Sequence, residues 1–117
     1  MQLDEAVLEK LCRTLNESET FKRAVKKPGA FLFRAGEVAV FLRVEPGRCA
    51  AARLGGDPEE ADFVLEASPE TWERLLRGEL DVVAAFTRGE LKLKKGSLFA
   101  LMPYAQAAKA IFAAFST

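Results

Sequence analysis

The sequence predicts one α+β domain over residues 1–117, a five-stranded, mainly antiparallel sheet covered by helices. Three observations carry this. The apolar period changes from 3.6 to 2 after the Lys27-Pro28-Gly29 breaker. Three strand-like runs then follow one another with only turn signals between them, which implies an antiparallel meander. Capped helical segments return the chain toward the sheet before a fifth strand-like run. Length and composition agree. Half of the 117 residues are hydrophobic and 29% are charged, an ordinary globular balance that excludes disorder, collagen-like repeats and a disulfide scaffold.

The first helix is predicted over Asp4–Asn16, where Leu3, Val7, Leu8, Leu11 and Leu15 recur at helical spacing. A short second helix fits Glu17–Val25, with Phe21 and Val25 on one face. Ala30–Arg34 reads as the first strand and Glu37–Val44 as the second, with Val38, Val40, Leu42 and Val44 sharing a face. Pro46-Gly47 is a turn, Arg48–Leu54 the third strand, and Gly55–Glu60 an exposed acidic loop. Ala61–Ala67 is the fourth strand, with Phe63 and Leu65 inward and Asp62, Val64 and Glu66 outward.

Ser68-Pro69-Glu70 is a helix start, since serine caps, proline suits the first turn and the acid meets the positive helix end. That helix closes at Gly78 and presents Trp72, Leu75 and Leu76. Asp81 caps a second helix, Val82–Thr87, which ends at Gly89. Glu90–Lys94 reads as the fifth strand, with Leu91 and Leu93 in and Lys92 and Lys94 out. Gly96-Ser97 opens the last helical region, which Pro103 breaks, kinks or restarts. From Leu98 to Phe115 the chain is apolar apart from Lys109 and a few polar positions. A stripe of Leu98, Leu101, Met102, Ala105, Ala108, Phe112 and Phe115, widened by Phe99 and Ile111, makes this a buried or ligand-facing helix, with membrane-surface contact as the lesser reading.

The charges and the missing residue types exclude several functions. Lys plus Arg equals Asp plus Glu at 17 each, without the basic excess of a nucleic-acid binder. There is no histidine, which removes Ser-His-Asp and Cys-His catalysis and the commonest metal ligand. Cys12 and Cys49, 37 positions apart, form no CxxC pair, so no metal site is expected. They read as two small buried thiols of a reducing compartment, with a disulfide as the alternative. The N-terminal MQLDEAVLEK has acids where a signal peptide needs bases, so a cytoplasmic location is expected. Only Cys49, Tyr104 and the carboxylates could do chemistry, and no motif groups them, so no enzyme activity and no cofactor are expected.

The run from Ala61 to Gly96 resembles the central signature of the sterol carrier protein 2 domain family. Ala61-Asp62 opens an apolar strand, Ser68 to Gly78 supplies the capped helix ending at glycine, Ala85-Phe86 lies on the short helix, and Gly89-Glu90-Leu91-Lys92-Leu93 leads to Gly96. The likeness is specific over about 36 residues and looser from Ala30 to Leu54. It implies a hydrophobic tunnel between the sheet and the later helices. The lone Asn, absent His and abundant Ala, Leu, Glu and Arg suggest a bacterial source, and the likeness also implies a stand-alone module that binds or carries fatty acids, fatty acyl-CoA, sterols or phospholipids without catalysis. On that basis the apolar wall is expected from Trp72, Leu75, Leu76, Val83 and Phe86, then Leu91, Leu98, Phe99, Leu101, Met102 and Phe112. Arg88, Lys92 and Lys94 are the headgroup candidates, the alternative being a solvated edge strand. The C-terminal Phe-Ser-Thr lacks a peroxisomal SKL-type address, so no sterol preference is carried over. The competing role for the same fold is dimerisation or support of a partner protein, through Phe112 and Phe115.

Overall fold

The computed structural model describes residues 3–115; the first and last two residues of the expected domain, including the Ser-Thr of the terminal tripeptide, lie outside the described residues. Helix α1 spans Glu5–Asn16 and is capped by Asp4, whose carboxylate accepts from the Val7 N–H at 2.9 Å. Helix α2 spans Glu19–Ala24, two residues later than the sequence suggests, because the Ser18 hydroxyl caps it by accepting from the Phe21 N–H. Strands β1 (Gly29–Ala35), β2 (Val38–Glu45) and β3 (Arg48–Leu54) form the antiparallel meander. A 3₁₀ turn at Pro58–Glu60 precedes β4 (Phe63–Ala67). Helices α3 (Pro69–Leu76) and α4 (Val82–Thr87) follow, capped by Ser68 and Asp81.

Strand β5 is Lys92–Lys95 and begins later than expected. The N–H groups of Glu90 and Leu91 both donate back to the Ala85 carbonyl, so these residues still belong to the exit from α4. Gly96 then turns the chain at φ +91°, where a Cβ would lie 2.6 Å from the Phe63 ring and 2.8 Å from the Asp62 carbonyl oxygen. The last region is split into α5 (Leu98–Leu101), a 3₁₀ turn at Met102–Tyr104 containing Pro103, and α6 (Ala105–Phe115).

The sheet order is β3-β2-β1-β4-β5, and β1 pairs with β4 in parallel, Phe31 opposite Phe63 and Phe33 opposite Leu65. The sheet is therefore mixed. Its central strand is the first one made.

One face carries the main core. Phe31, Val40, Leu42, Val44, Phe63 and Leu65 meet Leu8, Leu11 and Leu15 of α1, Phe21 of α2, Trp72 and Leu75 of α3, and Ile111 of α6. The opposite face holds a smaller cluster, Ala30, Leu32, Phe41, Ala61 and Val64. Val64 is thus buried, not turned to solvent as alternation alone implies. The Gly55–Ala61 segment is folded down over this face, and at Gly56 (φ +130°) a Cβ would sit 2.9 Å from Phe41 Cβ.

The expectation of two free thiols is corrected, since Cys12 and Cys49 are joined by a disulfide, their Cα atoms 5.3 Å apart. The cause is packing that sequence spacing does not reveal. Helix α1 lies across β3, and one turn beyond Cys12 the Asn16 amide accepts from the Cys49 N–H at 2.7 Å and donates to its carbonyl at 3.2 Å.

The apolar stripe predicted for the C-terminal region is corrected too. Pro103 interrupts the helical register, so α6 buries Ala107 and Ile111, and the 3₁₀ turn before it buries Tyr104. Leu98, Met102 and Ala105 are exposed, while Leu101, Ala108, Phe112 and Phe115 are half-buried. Leu98–Phe115 is long and apolar enough to cross a bilayer by composition, yet α6 packs on α1, α2 and α3.

Candidate functional site: an apolar chamber beneath the last helices

An apolar cavity of about 260 Å³ lies between the main-core face of the sheet and helices α4 to α6. Its floor comes from the strands, Phe31 and Phe33 of β1 and Leu65 of β4. Period-2 alternation puts the two phenylalanines on one face, ring centroids 6.1 Å apart and nearly parallel. Val83 and Phe86 of α4, Leu91, and Leu98, Leu101 and Met102 close one side; Ala107, Ala108, Ile111 and Phe112 of α6 close the other. The polar side chains at its boundary are those of Asp81, Tyr104, Gln106 and Lys109. An apolar void of about 150 Å³ suffices to hold benzene, so this space admits a longer aliphatic group.

A second apolar cavity, about 180 Å³, adjoins it. Trp72, Leu76 and Pro69 of α3, Leu3, Val38, Val40 and Phe115 line it, and Phe33 and Phe112 are common to both. Trp72 stands edge-on to Phe33 at 5.7 Å and to Phe112 at 6.1 Å, its indole N–H donating to the Arg34 carbonyl at 2.7 Å. Phe33 and Phe112 therefore form a partition between two chambers, within one aromatic cluster.

Of the residues singled out from the sequence, Val83, Phe86, Leu91, Leu98, Leu101, Met102 and Phe112 line the larger chamber, and Trp72, Leu76 and Phe112 the smaller. Leu75 lines neither chamber and is buried in the core. Phe99 lines neither and is 86% exposed. The three headgroup candidates lie apart from both chambers. Arg88 faces Glu90 at 3.9 Å, Lys94 faces Glu66 at 4.0 Å, and Lys92 is exposed on β5. Sequence reasoning missed Phe31, Phe33, Leu65 and Tyr104. The signal for the first two was present, two phenylalanines at i and i+2 in the central strand.

Tyr104 anchors the inner end of α6. Its hydroxyl donates to the Pro28 carbonyl at 2.7 Å, and its ring meets Phe31 and Phe63 edge-on. Burial pushes its pKa above the ordinary tyrosine value, and the nearby Asp62 carboxylate adds to the rise. The folded state thus favours the neutral phenol. Its contribution is complete below the unfolded pKa of about 10 and is lost as pH rises through the folded value. Tyr104→Phe is expected to flatten the alkaline limb of the stability-versus-pH curve, measured by denaturant unfolding at fixed pH steps; an unchanged limb would assign that limb to other groups.

Among the described residues no three His, Cys, Asp or Glu side chains are grouped to hold a metal ion. Cys49 carries no free thiol.

Comparison with known proteins agrees with this architecture. A profile of the SCP-2 sterol transfer family matches residues 8–109. A crystal structure of sterol carrier protein 2 superposes with TM-score 0.86 at 38% identity, over 96% of this chain and 95% of that one. The solution structure of TT1886, a conserved hypothetical protein of Thermus thermophilus described as a candidate sterol carrier protein, gives 0.81 at 38% identity, over 99% and 89%. The same fold forms a small part of the sec-alkylsulfatase Pisa1 of Pseudomonas sp., with TM-score 0.58 at 19% identity, over 83% of this chain and 14% of that one. No curated protein sequence matches significantly. With its profile match, its fold and its apolar chambers, the chain belongs to the SCP-2 sterol transfer family.

Proposed function

We propose that this protein binds and carries an apolar lipid, a fatty acid or fatty acyl-CoA in the first place and a sterol or phospholipid by extension, and that it does so without catalysis. The observation that carries the reading is the larger chamber, an apolar void roofed by α4 to α6. Enclosing one methylene contributes roughly 0.8 kcal/mol, so a tail of about 12 carbons yields about 10 kcal/mol gross. Part of this is lost to association and ordering, which leaves affinity near the micromolar range. No reactive group is needed for that. The proposed wall comprises Val83, Phe86, Leu91, Leu98, Leu101, Met102 and Phe112, extended by Trp72 and Leu76 when a tail displaces the Phe33–Phe112 partition.

Mass spectrometry of an organic extract of the native protein, together with displacement of a fluorescent fatty acid by unlabelled lipid, tests the reading. Co-purified lipid and saturable displacement are expected. Absence of saturable uptake of any aliphatic ligand would overturn it.

A second reading, association through an apolar surface, is favoured by one observation. Val83, Leu98, Phe99 and Met102 are 70%, 54%, 86% and 64% exposed. A homodimer or transient membrane contact would use these residues, not the half-buried Phe112 and Phe115. Light scattering distinguishes the two readings, because an obligate dimer that Phe99→Asp dissociates, with no ligand uptake, favours association. A cytoplasmic location belongs to the carrier reading and requires the Cys12–Cys49 bridge either to persist there or to open to two thiols, which alkylation of freshly lysed cells reads out.

A further inference from the structure

Two stretches of this charge-balanced chain contain no aspartate or glutamate, residues 20–36 and residues 91–117. The fold brings them together. Thr20, Arg23, Ala24, Lys26 and Lys27, from α2 and the turn after it, face Pro103, Tyr104 and Gln106 across an open cleft of about 570 Å³. No acidic side chain lines this cleft, and Arg23, Lys26 and Lys27 make no ion pair within the described residues. By contrast, neighbouring Lys22 pairs with Glu19 at 3.0 Å, and Arg48, Arg53, Arg74 and Arg77 each face a glutamate. The C-terminal end of α2 explains a cation at Arg23, but Lys26 and Lys27 lie beyond the helix. Three unpaired cations in a concavity focus a positive potential and favour an anion.

The cleft and the larger chamber share Tyr104 and Gln106. A tail leaving the chamber past the exposed Gln106 brings its head to the three cations. The arginine offers a planar fork for phosphate oxygens and the lysines offer mobile point charges, with the Thr20 hydroxyl and Gln106 amide as uncharged partners. We propose that Arg23, Lys26 and Lys27 form a binding site for the phosphate headgroup of an amphiphile whose tail occupies the apolar chamber. This rests on the lipid-binding reading for the tail, though not for the anion subsite itself. A concave cleft that abuts the chamber favours a single bound amphiphile over a membrane surface.

The test compares dodecyl phosphate with 1-dodecanol, which share a tail and differ in the head, by titration calorimetry at low salt. The wild type is expected to bind dodecyl phosphate more tightly. The triple variant Arg23→Gln, Lys26→Gln, Lys27→Gln is expected to lose about 10- to 30-fold for dodecyl phosphate and nothing for dodecanol. The comparison variant Arg88→Gln, Lys92→Gln, Lys94→Gln should bind both like the wild type. Equal affinity of the first triple variant and the wild type for dodecyl phosphate overturns the proposal, as does an equal loss for both ligands. If that variant loses only co-sedimentation with phosphatidylglycerol-containing vesicles, the cations serve a membrane surface and the proposal fails. If neither dodecyl compound binds the wild type, the lipid reading fails on its own. The anion subsite is then decided by inorganic phosphate, since NMR shifts at residues 20–27 that vanish in the triple variant uphold it and their absence from the wild type overturns it.

Discussion

Tryptophan in place of Ala108 is expected to weaken binding of a long-chain fatty acid about 100-fold while the protein stays folded. Ala108 is half-buried on α6 and faces the larger chamber. Enlarging a side chain is costly where the interior is already filled, but here it projects into an existing void. An indole in that space displaces three or four methylenes of a bound tail. At roughly 0.8 kcal/mol each this amounts to about 3 kcal/mol, or two orders of magnitude in affinity. Fluorescent-ligand displacement gives the binding result, and the thermal midpoint, expected to hold or rise, shows that the fold is intact. Unaltered affinity in a folded variant would mean that the tail lies somewhere else.

The opposite dissociation, stability without binding, is expected from Phe41→Ala, which should lower the unfolding free energy by about 3–5 kcal/mol. Phe41 is fully buried on the face of the sheet turned away from the chambers. Its ring is covered by the Gly55–Ala61 segment and by Arg53, whose guanidinium carbon lies 4.4 Å from the ring centroid; Arg43 stands 5.6 Å away. Arg53 is held in place by Glu60 at 3.0 Å. Truncation therefore removes a large buried side chain, the platform for two cation–π contacts and the support of a loop. Chemical denaturation measures the loss. Ligand affinity per folded molecule should be unchanged, because no Phe41 atom reaches the chambers. A loss below about 1 kcal/mol would show that the loop collapses into the space at little cost.

These two residues illustrate what could be read from the sequence. Periodicity located the α-helices and strands before Gly96 to within about two residues, because capping residues such as Asp4, Ser68 and Asp81 and turn glycines such as Gly78 act through local geometry, while the division of the last helical region at Pro103 stayed open. The motif from Ala61 to Gly96 supplied the family. Alternation with Val40 and Leu42 turns Phe41 to the opposite face, but its burial depends on a loop of glycines and acids folding back over the sheet. The parallel pairing of β1 with β4, the Cys12–Cys49 bridge and the rotation of α6 after Pro103 all depend on contacts distant in sequence. The headgroup question turned on the same distinction. Arg88, Lys92 and Lys94 stand out in the sequence as headgroup candidates, with Lys94 facing Glu66, whereas Arg23, Lys26 and Lys27 come to the edge of the chamber from α2 and the turn after it, some 80 positions before α6. The acid-free stretches at 20–36 and 91–117 were visible, but their meeting was not.

The parallel pairing at the centre of the sheet has a consequence for assembly. Strands β1, β2 and β3 can zip together from neighbours along the chain, with little loop entropy to overcome. Strand β4 must then travel past two finished strands to reach the far side of β1. The larger chamber is floored by β1, β2 and β4 and closed by the segments that follow β4 in the chain. It is complete only once α4 to α6 pack onto the sheet, so on the proposed lipid-binding reading an occupant would bridge the early and late halves of the chain.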